Sequence, residues 1–230
     1  MTKINYLKDI AKSNKPFIIY KSDKGFDLYT DFSKKIILTN GNIKNFIKKA
    51  TQFKFKKKET DIFIGFFGYE ILNNLIGVKV KKQKGLKFPK GIFYKPETKV
   101  KFQNKLDYKN LELIKSNKPF KININKASYK VIFDKFKKKI KSGETYQIKI
   151  CTKYRNTTQI DALDFFCRLV KTNMAPEAFM IKDKDYSIIS CSPENLITKK
   201  NDFITTMPIA GTLKKTPKLN KTKALTFFRK

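Results

Sequence analysis

A chain of 230 residues with 40% hydrophobic and 13% aromatic residues has enough apolar material to bury a core, which excludes a disordered protein. Its formal charge is +33, yet among 52 basic residues only Arg155, Arg168 and Arg229 are arginines, so the planar fork that clamps phosphate and reads guanine is nearly missing. Lysine is instead scattered throughout, beside abundant Ile, Asn and Phe and with no Trp or His, which points to A·T-rich coding rather than to a specific nucleic-acid partner. A basic, non-catalytic protein that holds nucleic acid through its lysines stays open as an alternative.

Cys151, Cys167 and Cys191 are odd in number and lack metal-ligand spacing, so reduced thiols are expected and no metal site. The first residues lack the apolar run of a secretory signal, and no segment approaches the length of a membrane span. The expected location is the cytoplasm, with no membrane contact.

In chain order, residues 16–20, 25–30 and 35–39 are β-rich runs separated by Ser, Asp and Gly, predicting a small antiparallel meander. Ile43, Phe46, Ile47 and Ala50 recur at helical spacing. The nearly continuous apolar run from Asp61 to Phe67 predicts a central strand, with Gly65 and Gly68 allowing close packing, and a helical stretch after Glu70. Residues 91–102 suggest two strands about a turn at Lys95-Pro96-Glu97-Thr98. Residues 108–125 read as a linker or edge strands between an N-terminal β-rich portion, 1–107, and a second portion, 126–230. That second portion opens with an amphipathic helix carrying Tyr129, Ile132, Phe133, Phe136 and Ile140 on one face and lysines elsewhere. Gly143 suits the left-handed position that ends it. A strand over 145–154, a helix over 161–171 and strands over 178–181, 186–191, 196–199 and 203–207 follow. From Lys214 to Lys230 the chain carries seven basic and no acidic side chains and reads as a solvated tail.

The string Met207-Pro208-Ile209-Ala210-Gly211-Thr212 interrupts this pattern. Gly211 has no Cβ, so a ligand can approach its backbone, and the Thr212 hydroxyl lies beside backbone N–H donors that suit a carboxylate. Alone, such a string is more often an ordinary turn between strands.

Four strings in order remove that ambiguity: Gly65-Phe66-Phe67-Gly68-Tyr69-Glu70, Gly143-Glu144-Thr145-Tyr146-Gln147, Asn173-Met174-Ala175-Pro176-Glu177-Ala178-Phe179, and Ser192-Pro193-Glu194 followed by Pro208-Ile209-Ala210-Gly211-Thr212. Over residues 15–215 the chain resembles the N-terminal part of component I of the chorismate-utilising aminases, anthranilate synthase and aminodeoxychorismate synthase. The resemblance implies an α+β fold of antiparallel sheets with flanking helices, a two-sheet sandwich of which this chain holds part. It implies chorismate as ligand, touched by Gly211 and Thr212. Ala210 stands where aminodeoxychorismate synthases often carry a lysine nucleophile, and Gln147 where water-adding relatives carry a lysine base. Neither can do that chemistry, which favours ammonia as the nucleophile.

The resemblance further implies a glutamine amidotransferase subunit that supplies ammonia, and magnesium held by glutamates beyond Lys230. On this reading the chain is an incomplete, inactive fragment of an anthranilate-synthase-type enzyme, with aminodeoxychorismate synthase component I as the alternative. A feedback-inhibitor site would fall at Ser22, Pro176, Glu177 and Ala178. Glu177 and Ala178 replace the aromatic and thioether residues usual there, so tryptophan sensing does not carry over. Leu213, where anthranilate synthases usually have arginine, and the short section before Gly68 blur the branch.

Overall fold

The computed structural model describes residues 3–51, 58–78, 89–103, 106, 119–209, 213–217 and 219–228. They fall into two compact units, one formed by Met1–Lys109 with Ala162–Lys230 and the other by Asn110–Asp161.

The first unit opens with a helix absent from the sequence reading, α1 (Lys3–Lys12). Its Leu7 is fully buried, with Tyr6, Ile10 and Ala11 packed beside it. Then come β1 (Phe17–Ser22), β2 (Gly25–Ile37), α2 (Ile43–Thr51), β3 (Ile64–Phe67), α3 (Tyr69–Leu75) and β4 (Gly91–Gln103). The expected meander is thus two strands, since β2 continues through residues 31–33 where Asp and Ser suggested a break. Asp31 is left-handed at φ 53° and the β2–β4 ladder shifts register between Phe32 and Lys34, so a bulge absorbs the polar residues. Pro96 sits opposite Phe32 at that irregularity, where its missing N–H is tolerated. The two strands expected about Pro96 are therefore one.

In the second unit, β5 (Lys121–Ile122) pairs with β6 (Tyr154–Arg155) on either side of α4 (Lys126–Lys141). The Asn125 side chain caps α4 by accepting from the Ser128 N–H at 2.8 Å. Gly143 follows it at φ +78°, the left-handed geometry that glycine takes without strain. None of the residues of α4 is buried: Ile132 and Phe136 are partly covered and Tyr129, Phe133 and Ile140 are exposed. Residues 145–153 are not a strand, and the expected ladder there shrinks to Tyr154–Arg155.

The chain returns to the first unit with α5 (Ala162–Asn173), β7 (Glu177–Lys182), β8 (Ser187–Ser192), β9 (Asn195–Lys200), β10 (Phe203–Met207) and α6 (Lys221–Phe228). The last is helix where a tail was expected. Six strands form one antiparallel sheet in the order β3-β4-β2-β1-β7-β8, and β9 with β10 forms a separate hairpin. Among the described strands, the run ending at Phe67 therefore lies at the edge and not in the centre. Its apolar character reflects packing of Phe63 and Phe67 against Phe46 and Phe93, not burial between two strands. A Cβ on Gly65 would lie 1.9 Å from the Ile92 carbonyl oxygen, so close approach to β4 is what requires glycine there.

Alternation sorts the sheet residues between its faces. Phe17, Ile19, Phe26, Leu28, Phe102, Ala178 and Met180 form a core with Leu7 of α1 and Leu163 and Phe166 of α5. Ile18, Tyr29, Ile92, Tyr94 and Ile181 form a second cluster, and Leu38, Ile43, Phe46 and Ile71 a third beneath α2 and α3.

A polar hub ties the second cluster together. Asp183, only 6% exposed, accepts from the Tyr94 hydroxyl at 2.5 Å and meets Lys35 Nζ at 2.6 Å. Burial pushes the Asp183 carboxyl up, but bonds from Lys35, Tyr94 and the Lys184 amide outweigh it and hold the group below its usual range. Burial and the hydrogen bond to Asp183 drive the Tyr94 hydroxyl up.

Candidate functional site

The site is built where β8 gives way to the hairpin. Ser192-Pro193-Glu194 makes a tight turn in which the Ser192 hydroxyl donates to the Glu194 carbonyl at 2.9 Å and accepts from the Glu194 N–H at 3.2 Å. Asn195 then starts β9, which runs to Lys200, reverses through Asn201 at φ 53° and returns as β10. Met207 lies opposite Asn195, so the end of β10 comes back beside the turn. There the Glu194 carboxylate accepts from the backbone N–H of Ile209 at 2.8 Å. Ala210, Gly211 and Thr212, the residues singled out for substrate contact, lie outside the described residues.

A second carboxylate holds the same turn from the sheet side. Glu177, half-buried at the start of β7, accepts from the Tyr20 hydroxyl at 2.5 Å through one oxygen and from the Asn195 side-chain amide at 3.0 Å through the other. Burial first, and Glu177 second, push the Tyr20 hydroxyl up, which keeps it a donor at any ordinary pH. Nearby, Lys21 Nζ donates to the Ala175 carbonyl at 2.5 Å. Burial pushes the Cys191 thiol up, and Lys21 draws it down only in part.

Among the residues expected to form an inhibitor site, Ser22 ends β1 and Glu177 begins β7, and the antiparallel β1–β7 pairing brings both to the same end of that pair. Ala178 is buried in the core and Pro176 is exposed. Met174, just before them, is exposed and left-handed at φ 48° as it closes α5. Gln147 belongs to the second unit, on an exposed stretch where its backbone carbonyl accepts from the Thr145 hydroxyl at 3.3 Å. Sequence reasoning assigned no role to Tyr20, Glu194 or Asn195. Glu194 carried a signal, as the acidic member of Ser192-Pro193-Glu194 just before a strand; Tyr20 carried none. Among the described residues no group of three or more His, Cys, Asp or Glu is placed to hold a metal ion, and no helix is long and apolar enough to cross a membrane.

With this geometry in place, comparison with known proteins adds the following. A family model described as chorismate binding enzyme matches residues 6–227. Aminodeoxychorismate synthase component 1 of Salmonella typhimurium is 33% identical over 98 residues, covering 43% of this chain and 21% of that protein. Anthranilate synthase component 1 of Mycolicibacterium smegmatis is 36% identical over 90 residues, covering 36% and 17%. Anthranilate synthase component 1 of Buchnera aphidicola subsp. Schizaphis graminum is 30% identical over 148 residues, covering 62% and 27%. The matched stretches thus span between 17% and 27% of these relatives' lengths.

Proposed function

The chain belongs to the chorismate-binding enzyme family, and on that footing we propose that it forms part of a component I that aminates chorismate with ammonia and eliminates pyruvate, as an anthranilate-synthase-type enzyme. The observation that carries the reading is the family match across residues 6–227. The role of each residue is argued from its chemistry. Gly211 offers backbone N–H access and Thr212 a hydroxyl, both suited to a carboxylate of the substrate. Ala210 has no amine with which to attack the ring, and the neutral amide of Gln147 cannot take a proton from water. The nucleophile must then come from outside, and ammonia from a glutamine amidotransferase subunit is the proposed source. Magnesium would neutralise charge on the substrate, but the described residues offer no ligand set for it.

Relatives of both names match, so aminodeoxychorismate synthase component I, making a folate precursor, is kept as the second reading. Titrating chorismate into the 230-residue chain by calorimetry tests the binding half of the proposal. Saturable heat is expected, and none at millimolar chorismate overturns it. Incubating the complete reading frame with chorismate, ammonia and magnesium tests the chemistry, and formation of neither product overturns both readings. Fluorescent anthranilate with equimolar pyruvate supports the first reading, aminodeoxychorismate without pyruvate the second.

A further inference from the structure

Two carboxylates meet at the root of the hairpin. Glu177, seated in the six-stranded sheet, holds Asn195, while Glu194, adjacent to Asn195 in sequence, holds the backbone of Ile209. The hairpin between these points is exposed, with Leu196, Ile197, Phe203 and Ile204 each more than 60% accessible. A two-stranded ribbon this wet has little stability of its own, so its placement depends on what fastens its ends.

We propose that Glu177 is a positioning residue for the backbone at Ile209: through Asn195 it fixes the Ser192–Asn195 turn, and through Glu194 that turn holds the Ile209 amide. Tyr20 completes the bridge by occupying the second oxygen of Glu177, so the carboxylate cannot swing away from Asn195 without giving up a hydrogen bond. The consequence for substrate, though not the bridge itself, rests on the chorismate reading above.

The bridge predicts a graded response. In Glu177→Ala both bonds are lost; in Asn195→Ala only the link to the hairpin is. Glu177→Gln keeps the geometry, because its amide oxygen still accepts from Asn195 and its amide nitrogen donates to the Tyr20 oxygen. Hydrogen exchange at the Ile209 amide reads this directly. It should speed up about fivefold in Glu177→Ala and Asn195→Ala, the equivalent of one ordinary hydrogen bond, and stay at the parent rate in Glu177→Gln, while amides of β7 and β8 hold theirs. A purely structural role for Glu177 would loosen β7 and leave Ile209 no worse than its neighbours.

Chorismate affinity is the second readout and should weaken by about the same factor in the two alanine variants. Unchanged Ile209 exchange in both alanine variants overturns the proposal. If Glu177→Ala loosens the whole sheet, Asn195→Ala decides, since its side chain belongs to the hairpin. A chain that passes the exchange test yet fails to bind chorismate retires the functional reading and leaves the bridge standing.

Discussion

The sheet and the hairpin draw on the same kinds of residue to opposite ends. Phe17, Ile19 and Phe166 are fully buried where β1, β7 and β2 meet α1 and α5, whereas Phe203, Ile204 and Leu196, on strands of similar length, are 69–84% exposed. Apolar content alone does not separate them. What differs is company: each sheet strand has a paired neighbour and a helix or loop against its face, and the hairpin has its own partner strand and a polar bridge at its root. Stability is therefore concentrated in the sheet, while the segment assigned to substrate follows the hairpin in sequence.

The largest expected effect lies on the buried side. Phe166→Ala empties a site with no exposure, packed edge-on against Phe26 at 6.1 Å, and should cost about 3–5 kcal/mol in denaturant titration; a loss below about 1 kcal/mol would erase the contrast.

Asp183→Asn comes next, expected to cost about 1.5–3 kcal/mol by weakening charge-assisted bonds to Lys35 and Tyr94. It also tests sign. Because the folded carboxyl sits below its ordinary value, its contribution is fully present at neutral pH and fades as pH falls below about 4 toward the depressed folded value. The parent should thus lose more stability than the variant between neutral pH and that acid range, and parallel pH profiles would refute the assignment.

Gly65→Ala should cost about 1–3 kcal/mol, since the added Cβ meets the backbone of Ile92 and β3 must draw away from β4; faster exchange confined to the β3–β4 ladder would locate the damage. The smallest effect belongs to the hairpin: Phe203→Ser should stay within about 0.5 kcal/mol of the parent, and a larger loss would mean that its ring packs on something other than solvent.

Legibility from sequence follows the same divide. Strands β7 to β10 and helices α4 and α5 were readable because alternation or helical spacing is uninterrupted there and Gly143 marks a stop. The bulge at residues 31–33 was not, because Asp31 and Ser33 look like turn residues and only pairing with β4 shows that the ladder continues past them. Pro96 misled for the complementary reason, since a missing N–H is tolerated where the ladder already slips. α1 was missed because its apolar residues Tyr6, Leu7, Ile10 and Ala11 form a short stripe among lysines, whose worth appears only when the sheet supplies a surface. At the site, glycine and threonine could be named from their chemistry, but no local pattern links Tyr20 with Glu177, 157 residues apart.

That separation has a temporal side. Tyr20 lies beside Phe179 in the ladder that joins β1 to β7, so a ribosome adding about 5–20 residues per second needs roughly 10–30 s to deliver the neighbour that β1 awaits. Through that interval the edge of β1 that β7 will cover keeps its backbone groups without their sheet partner.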